Sequence, residues 1–246
     1  MDNALFVGLS RQIALRRELD ITANNLANVD TTGFKVESLM QKVDPAGPAR
    51  TLGAPNPVTF VVGDGVARDF GQGALRRTGA PFDLAVEGDG FFAVTTAEGE
   101  RYTRDGRFKT DSNGRLATQN GDVVADDGGG EITVDPQKPG EITVSPDGVV
   151  SQGTERIGKV GVYTFANLGA LEKTGDNLYK NVSNQQPTPP ADSKVRQGML
   201  EGSNVNSIVE ITRMIEVSRA YEQTTQMMQS EFELSRNSVS RLGRPN

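Results

Sequence analysis

The sequence predicts an α+β protein, with long N- and C-terminal helices forming a coiled-coil-like core segment and a central all-β domain between them. Three observations carry this reading. Residues 206–242 hold an unbroken three-and-four spacing of apolar and small side chains. Residues 4–28 show a shorter version of the same pattern. Between them the period falls to two, around turns rich in glycine and aspartate. The divisions that follow are 1–35 for the N-terminal core helix and its signature turn, and 36–79 for an irregular and β connecting segment. The central β domain is placed at 80–182, a linker at 183–205 and the C-terminal core helix at 206–246.

Asn3 can cap the first helix, along which Leu5, Leu9, Ile13, Leu19, Ala23 and Leu26 recur mostly at helical spacing. The polar run Asn28 to Gly33 ends it. Pro45, Pro48, Pro55 and Pro57 forbid a long helix in the connecting segment, where Val58 to Val62 reads as a short strand. In the β domain, Leu84, Val86 and Phe91 to Val94 read as strands around Glu87–Gly90, and Asp105-Gly106 between two strand-like triplets reads as a hairpin. Asp111 to Gly114 is the next turn. Near-identical heptapeptides at 130–136 and 140–146 suggest successive strands, and Val160 to Phe165 is the last clear one. The polar, proline-rich residues 183–194 read as a linker.

Ser207 with Glu210 matches a capping box, and Asn206 is the alternative cap. The seam of the last helix then runs through Ile211, Met214, Ser218, Tyr221, Thr225, Met228, Phe232, Ser235, Val239 and Leu242, with Ile215 beside it. At 1.5 Å per residue this helix is roughly 55 Å long, more than a small β domain can cover. Small and polar seam residues make a weak two-stranded coiled coil and suit a helix packed among several neighbours.

Hydrophobic residues make up 35% of the 246 residues, the formal charge is -6, and Cys, His and Trp are absent. Zinc, haem and thiol sites lose their usual ligands, and triad chemistry loses its base. No extended basic run marks a nucleic-acid face. No basic-then-apolar opening marks a cleavable signal peptide, and no apolar run is long enough to span a bilayer. Asp111, Ser112, Asn113 and Gly114 fail as a calcium loop because Lys109 and Asn120 occupy the end positions. Acidic residues before glycine read as turn formers. Gly63-Asp64-Gly65 and Gly88-Asp89-Gly90 do not continue as phosphate loops, and Asp30-Thr31-Thr32-Gly33 carries an extra threonine relative to an aspartic-protease motif. No enzyme, cofactor, metal, nucleic-acid or membrane-insertion role is expected.

The segment Ala23-Asn24-Asn25-Leu26-Ala27-Asn28-Val29-Asp30-Thr31-Thr32-Gly33-Phe34-Lys35 resembles the N-terminal signature of bacterial flagellar rod and hook axial proteins. Residues 82–92, 102–108 and 114–121 are similar to that family's β hairpins, and 197–206 leading into 214–222 is similar to its C-terminal helix. The opening residues 1–10 and the short length most resemble a proximal rod member. Val36 to Lys42 departs from the distal rod pattern, and the larger outer domain of the hook protein is absent.

The resemblance implies a subunit of the flagellar drive shaft, exported through the type III apparatus into the periplasm. Its partners would be copies of itself, the other rod and hook axial proteins and the export apparatus. Assembly residues are then expected at Leu5, Leu9, Ile13, Asn24, Asn25, Leu26, Asn28, Gly33, Phe34, Ile211, Met214, Ile215, Tyr221, Met228 and Phe232. The β domain is expected to fold by itself, and a β-branched residue at Gly33 to impair assembly without unfolding it. A distal rod or hook subunit is the alternative within the family. A secreted binding module with Phe91, Phe92 and Tyr102 as contacts is the alternative outside it.

Overall fold

The computed structural model describes residues 2–44, 60–183 and 185–242. The chain forms two compact units. One comprises Met1–Ala27, Glu37–Arg68 and Asn206–Asn246, and the other Asn28–Val36 and Asp69–Val205.

In the first unit, α1 spans Asp2–Ala27 and α2 spans Ser207–Leu242. Asn3 lies inside α1 rather than capping it. Asn206, not Ser207, caps α2: its side-chain oxygen accepts from the amides of Ile208 at 3.1 Å and Val209 at 3.3 Å. Glu210 does not close a capping box, because its carboxylate is taken by Asn25. The helices run antiparallel. Gln12 donates to Thr225 at 3.1 Å, Glu18 meets Arg213 at 3.4 Å and Asn25 donates to Glu210 at 2.9 Å, so contacts ascend one helix as they descend the other.

Strands β1 (Glu37–Asp44) and β2 (Phe60–Arg68) form an antiparallel hairpin that packs on α1. Residues 45–59, which hold the four prolines and the first half of the Val58–Val62 strand, lie outside the described residues. Gly63-Asp64-Gly65 is not a loop. Met40 pairs with Gly65 and Gln41 with Gly63, which leaves Asp64 as the extra residue of a β-bulge.

The second unit carries fifteen further strands: β3 (Leu75–Arg77), β4 (Leu84–Glu87), β5 (Phe91–Thr96), β6 (Gly99–Thr103), β7 (Lys109–Thr110), β8 (Leu116–Ala117) and β9 (Val123–Val124), then β10 (Ile142–Val144), β11 (Val149–Gln152), β12 (Glu155–Lys159), β13 (Val162–Tyr163), β14 (Leu171–Gly175), β15 (Leu178–Asn181), β16 (Lys194–Gln197) and β17 (Met199–Glu201). The largest sheet runs β14-β15-β6-β5-β9-β8-β7, with β13 also on β5. A meander β10-β11-β12 and two pairs, β16-β4 and β17-β3, complete it.

Strand β5 is buried on both faces. Phe92 and Val94 enter one apolar cluster with Leu84, Val86 and Phe108, while Phe91 and Ala93 enter another with Tyr102, Phe165 and Tyr179. Phe91, Phe92 and Tyr102 are 1%, 0% and 3% exposed, so they are core and not ligand contacts.

Three local readings change. Asp105-Gly106 is not a hairpin turn, since β6 pairs with β5 and β15 instead. Glycine is required at 106 because a Cβ there would overlap the Leu84 carbonyl. Of the two similar heptapeptides, the second becomes β10, while the first makes isolated bridges and buries Ile132. Residues 183–205 are not a linker: Thr188 bridges Thr164, β16 pairs with β4 and β17 pairs with β3.

Candidate assembly surface and a buried ionic junction

The helical unit shows which of its apolar residues are used internally. On α2 the buried or half-buried positions include Glu210, Met214, Val217, Tyr221, Thr224, Met228 and Glu231, spaced alternately by four and three, with Arg213, Ser218, Ala220 and Thr225 half-buried beside them. On α1, Gly8, Leu15 and Thr22 are buried seven residues apart. A Cβ on Gly8 would come 2.9 Å from Met228 Cγ, so glycine lets the helices approach closely there. Met214, Tyr221 and Met228 of the expected seam therefore belong to the internal contact. Leu5 and Leu26 are half-buried.

Leu9, Ile13, Ile211, Ile215 and Phe232 do not; they are exposed by 44%, 52%, 45%, 48% and 63%. They fall on one side of the helix pair. Leu5, Gln12, Thr225, Met228, Gln229 and Phe232 line a groove of about 380 Å³. Ile211 precedes Gln229, and Ile215 precedes the groove residue Glu233, by eighteen residues, which is five full turns, so both isoleucines point to the groove's side. Leu9 and Ile13 continue from Leu5 at four-residue steps.

Asn24 and Asn25 separate sharply. Asn24 is exposed, whereas Asn25 is fully buried. Asn25 donates to the Glu37 carbonyl at 2.7 Å and accepts from the Glu37 amide at 2.9 Å, besides its bond to Glu210. One amide side chain thus ties the end of α1, the start of β1 and the first turn of α2.

In the β unit, Asn28 accepts from Thr31 through both its carbonyl and its side chain, forming the signature turn. With Thr31 and Phe34, Asn28 lines a polar cavity of about 370 Å³. Phe34 is buried, with the Lys173 ammonium 4.4 Å from its ring centre. Gly33 has φ +70°, and a Cβ there would lie 2.5 Å from the Arg104 carbonyl carbon. The position is thus packed into the β unit, and a β-branched residue would strain this unit itself, contrary to the sequence expectation.

Around Gly33 lies a cluster that sequence reasoning passed over. Lys35 Nζ meets Glu201 Oε1 at 2.6 Å, and Arg104 Nη1 meets Glu201 Oε2 at 2.9 Å. All three side chains are at most 3% exposed. Lys35 also donates to the Gly71 carbonyl at 2.8 Å, and Glu201 accepts from the Gly73 amide at 2.9 Å. Arg104 reaches the Gly88 carbonyl at 2.8 Å and sits 5.2 Å over the Phe91 ring. Burial pulls the Lys35 ammonium below its ordinary pKa, against the attraction of Glu201, and Arg104 pulls it down further. Asn204 completes the junction by accepting from the Val36 amide at 2.8 Å and donating to the Asp69 carbonyl at 2.9 Å.

Three family descriptions match the chain: a flagella basal body rod protein at residues 5–35, a flagellar hook protein FlgE/F/G D1 domain at 85–152, and a flagellar basal body rod FlgEFG protein C-terminal segment at 196–242. The flagellar basal-body rod protein FlgF of Caulobacter vibrioides is 55% identical over 246 residues, covering all of both chains. The FlgF of Mesorhizobium japonicum is 35% identical over 99% of each chain. The chain belongs to the FlgF family of flagellar basal-body rod proteins. A FlgG rod protein, from Bacillus subtilis, is 31% identical over 98% of this chain and 99% of its own.

As a FlgF-family member, the chain is a structural rod subunit of the flagellar basal body, and its relatives are named as basal-body rod proteins. Each family-matched segment supplies one ion of the buried junction: Lys35 from the first, Arg104 from the second, Glu201 from the third. The acidic turns also find structural work. Asp111 accepts from the amides of Asn113 and Arg115, and Asp126 from those of Gly128 and Gly130. Among the described residues no three carboxylates gather as a metal site, and no helix is long and apolar enough to cross a membrane.

Proposed function

We propose that the chain is a proximal rod subunit that builds the periplasmic drive shaft through its terminal helices, alongside copies of itself and the other axial proteins. It reaches that site through the flagellar type III export apparatus, works without cofactor or catalysis, and contributes rigidity to a shaft that transmits motor torque.

The observation that supports this reading is the apolar surface that the helix pair leaves uncovered. Leu9, Ile13, Ile211, Ile215 and Phe232 stay uncovered after α1 and α2 have satisfied each other. Coiled-coil-like packing of that face against neighbouring helices removes it from water, at roughly 25 cal/mol per Å². A contact that does not close on itself extends into a helical assembly.

The test is a double Ile211→Ser, Ile215→Ser variant. Because both side chains are exposed, the purified protein should keep its unfolding midpoint. Rod incorporation and swimming should fall. Normal swimming with normal incorporation sinks the proposal.

A further inference from the structure

The β unit is finished by its last few residues. The large sheet and the β10-β11-β12 meander need nothing beyond Asn181 for their pairing. Among the described residues, strand β4, by contrast, has β16 as its one ladder partner, and β3 has β17. Leu84, Ala85 and Val86 of β4 are at most 1% exposed, so an undocked β16 would leave an apolar edge bare.

Gln197 seals a further edge. It donates to the carbonyls of Ile142 and Pro81 and accepts from the Val144 amide. Behind it, Gly73 and Gly202 pack backbone to backbone so closely that a Cβ on Gly73 would overlap the Gly202 carbonyl.

Glu201 arrives with this segment. Its carboxylate is the anion in direct contact with both Lys35 and Arg104, with Asp69 as a weaker influence on Lys35. Without Glu201 the site contains two buried cations that repel each other. A buried charge stripped of its partner is strongly unfavourable, whereas the completed cluster is close to neutral in its effect on stability.

We propose that residues 194–205 act as a closing latch for the β unit: β16 and β17 dock last, and Glu201 is the ionic key without which Lys35 and Arg104 hold the docking site open. The latch makes closure of the unit conditional on its C-terminal residues, whatever α1 and α2 then assemble with. The large sheet stands before the latch closes.

Native-state hydrogen exchange of the full chain, read by peptide mass spectrometry, tests this. In the unaltered protein, peptides covering 33–36, 72–77 and 194–202 should exchange together, through an opening that leaves 91–96 and 123–124 protected. Glu201→Gln should speed the first group about a hundred-fold and leave the second unchanged. Adding Lys35→Met, which removes one of the two cations, should return at least about ten-fold of that loss. If Glu201→Gln does not fold, the unaltered protein and the double variant decide. Uniform exchange across the β unit in the unaltered protein overturns the latch. So does unchanged exchange in Glu201→Gln, or a double variant no better than the single.

Discussion

Replacing Asn25 with alanine removes three hydrogen bonds from the helical unit at once. The bond to the buried Glu210 carboxylate is charge-assisted and contributes roughly 1.5–3 kcal/mol, and the two to the Glu37 backbone contribute roughly 0.5–1.5 kcal/mol each. Glu37 is half-buried, so water can serve its backbone after the change. The expected loss is therefore in the lower half of the summed range, about 3–4 kcal/mol. With a urea dependence of about 2 kcal/mol per molar, the helix-reporting transition should fall by roughly 1.5–2 M. The assay is urea unfolding of the full chain followed by far-ultraviolet circular dichroism, where the helices dominate. The neighbouring Asn24→Ala, at an exposed position, should shift the midpoint by less than a quarter of that amount. Glu210→Gln should also be mild, because an amide oxygen can still accept from Asn25. Equal shifts for Asn24→Ala and Asn25→Ala would refute the reasoning, since burial would then not be what gives Asn25 its role.

Other positions give independent checks. Gly33→Val combines a positive φ with a Cβ 2.5 Å from backbone and should cost about 3–5 kcal/mol in the β unit; Gly121→Ala, at φ +97° but in open space, should cost only about 1 kcal/mol, and matching urea midpoints would discount the close contact. A fragment of residues 80–182 lacks β3, β16, β17, Lys35 and Glu201 but keeps the large sheet, so it should keep a cooperative thermal transition at a lowered midpoint, and the absence of any transition would show that the sheet does not stand without those elements. Burial, reinforced by Glu100, raises the Tyr102 phenol above its ordinary pKa. The folded form therefore holds its proton more tightly, and the resulting stability is present below about pH 10 and lost as pH rises beyond it. Lys35, with a lowered pKa, contributes the opposite slope just below its ordinary value. Tyr102→Phe should flatten the alkaline fall in urea midpoint while leaving the Lys35 trend in place, and an unchanged profile would remove Tyr102 as its source.

The helices and most turns were legible because their signals are local. An uninterrupted apolar spacing and an Asn before the first turn are enough to place α2, and Gly114, at φ +79°, closes the β7-β8 turn where Asp-Ser-Asn-Gly stands in the sequence. The face of each helix was less legible. Sequence periodicity weights every apolar residue alike, so the stripe drawn through Ile211, Met214, Tyr221, Thr225 and Phe232 averages two surfaces, one covered by α1 and one bare. The polar members of the covered face, Glu210 and Thr224, could not be told from solvated positions, because what makes Glu210 internal is Asn25, far away in the chain. The closing strands failed for a similar reason. Residues 194–201 have too little alternation to announce strands and gain them from partners more than a hundred residues earlier.

The ionic junction was the least legible feature, and the reason is instructive about where function can hide. Arg104 and Glu201 each sit beside glycine or another polar residue, and Lys35, between Phe34 and Val36, directly follows the polar signature turn, so all three fall where a charge is ordinarily solvated. Nothing local marks any one of them. Their significance appears only when three separated segments, each matching a different part of the FlgF family, prove to meet at one buried point. Such a cluster is a poor choice for raw stability, since apolar residues of similar volume would hold the fold as well or better. It is a good choice for correctness of assembly within the chain, because a misplaced strand leaves an unpaired buried charge and not merely a smaller contact. A rod subunit needs its β unit closed in one way before neighbours pack around it. An error penalised by two uncompensated cations is less readily tolerated than one penalised by a few lost methylene contacts, and that asymmetry gives a physical reason for placing charge where the sequence alone would suggest a loop.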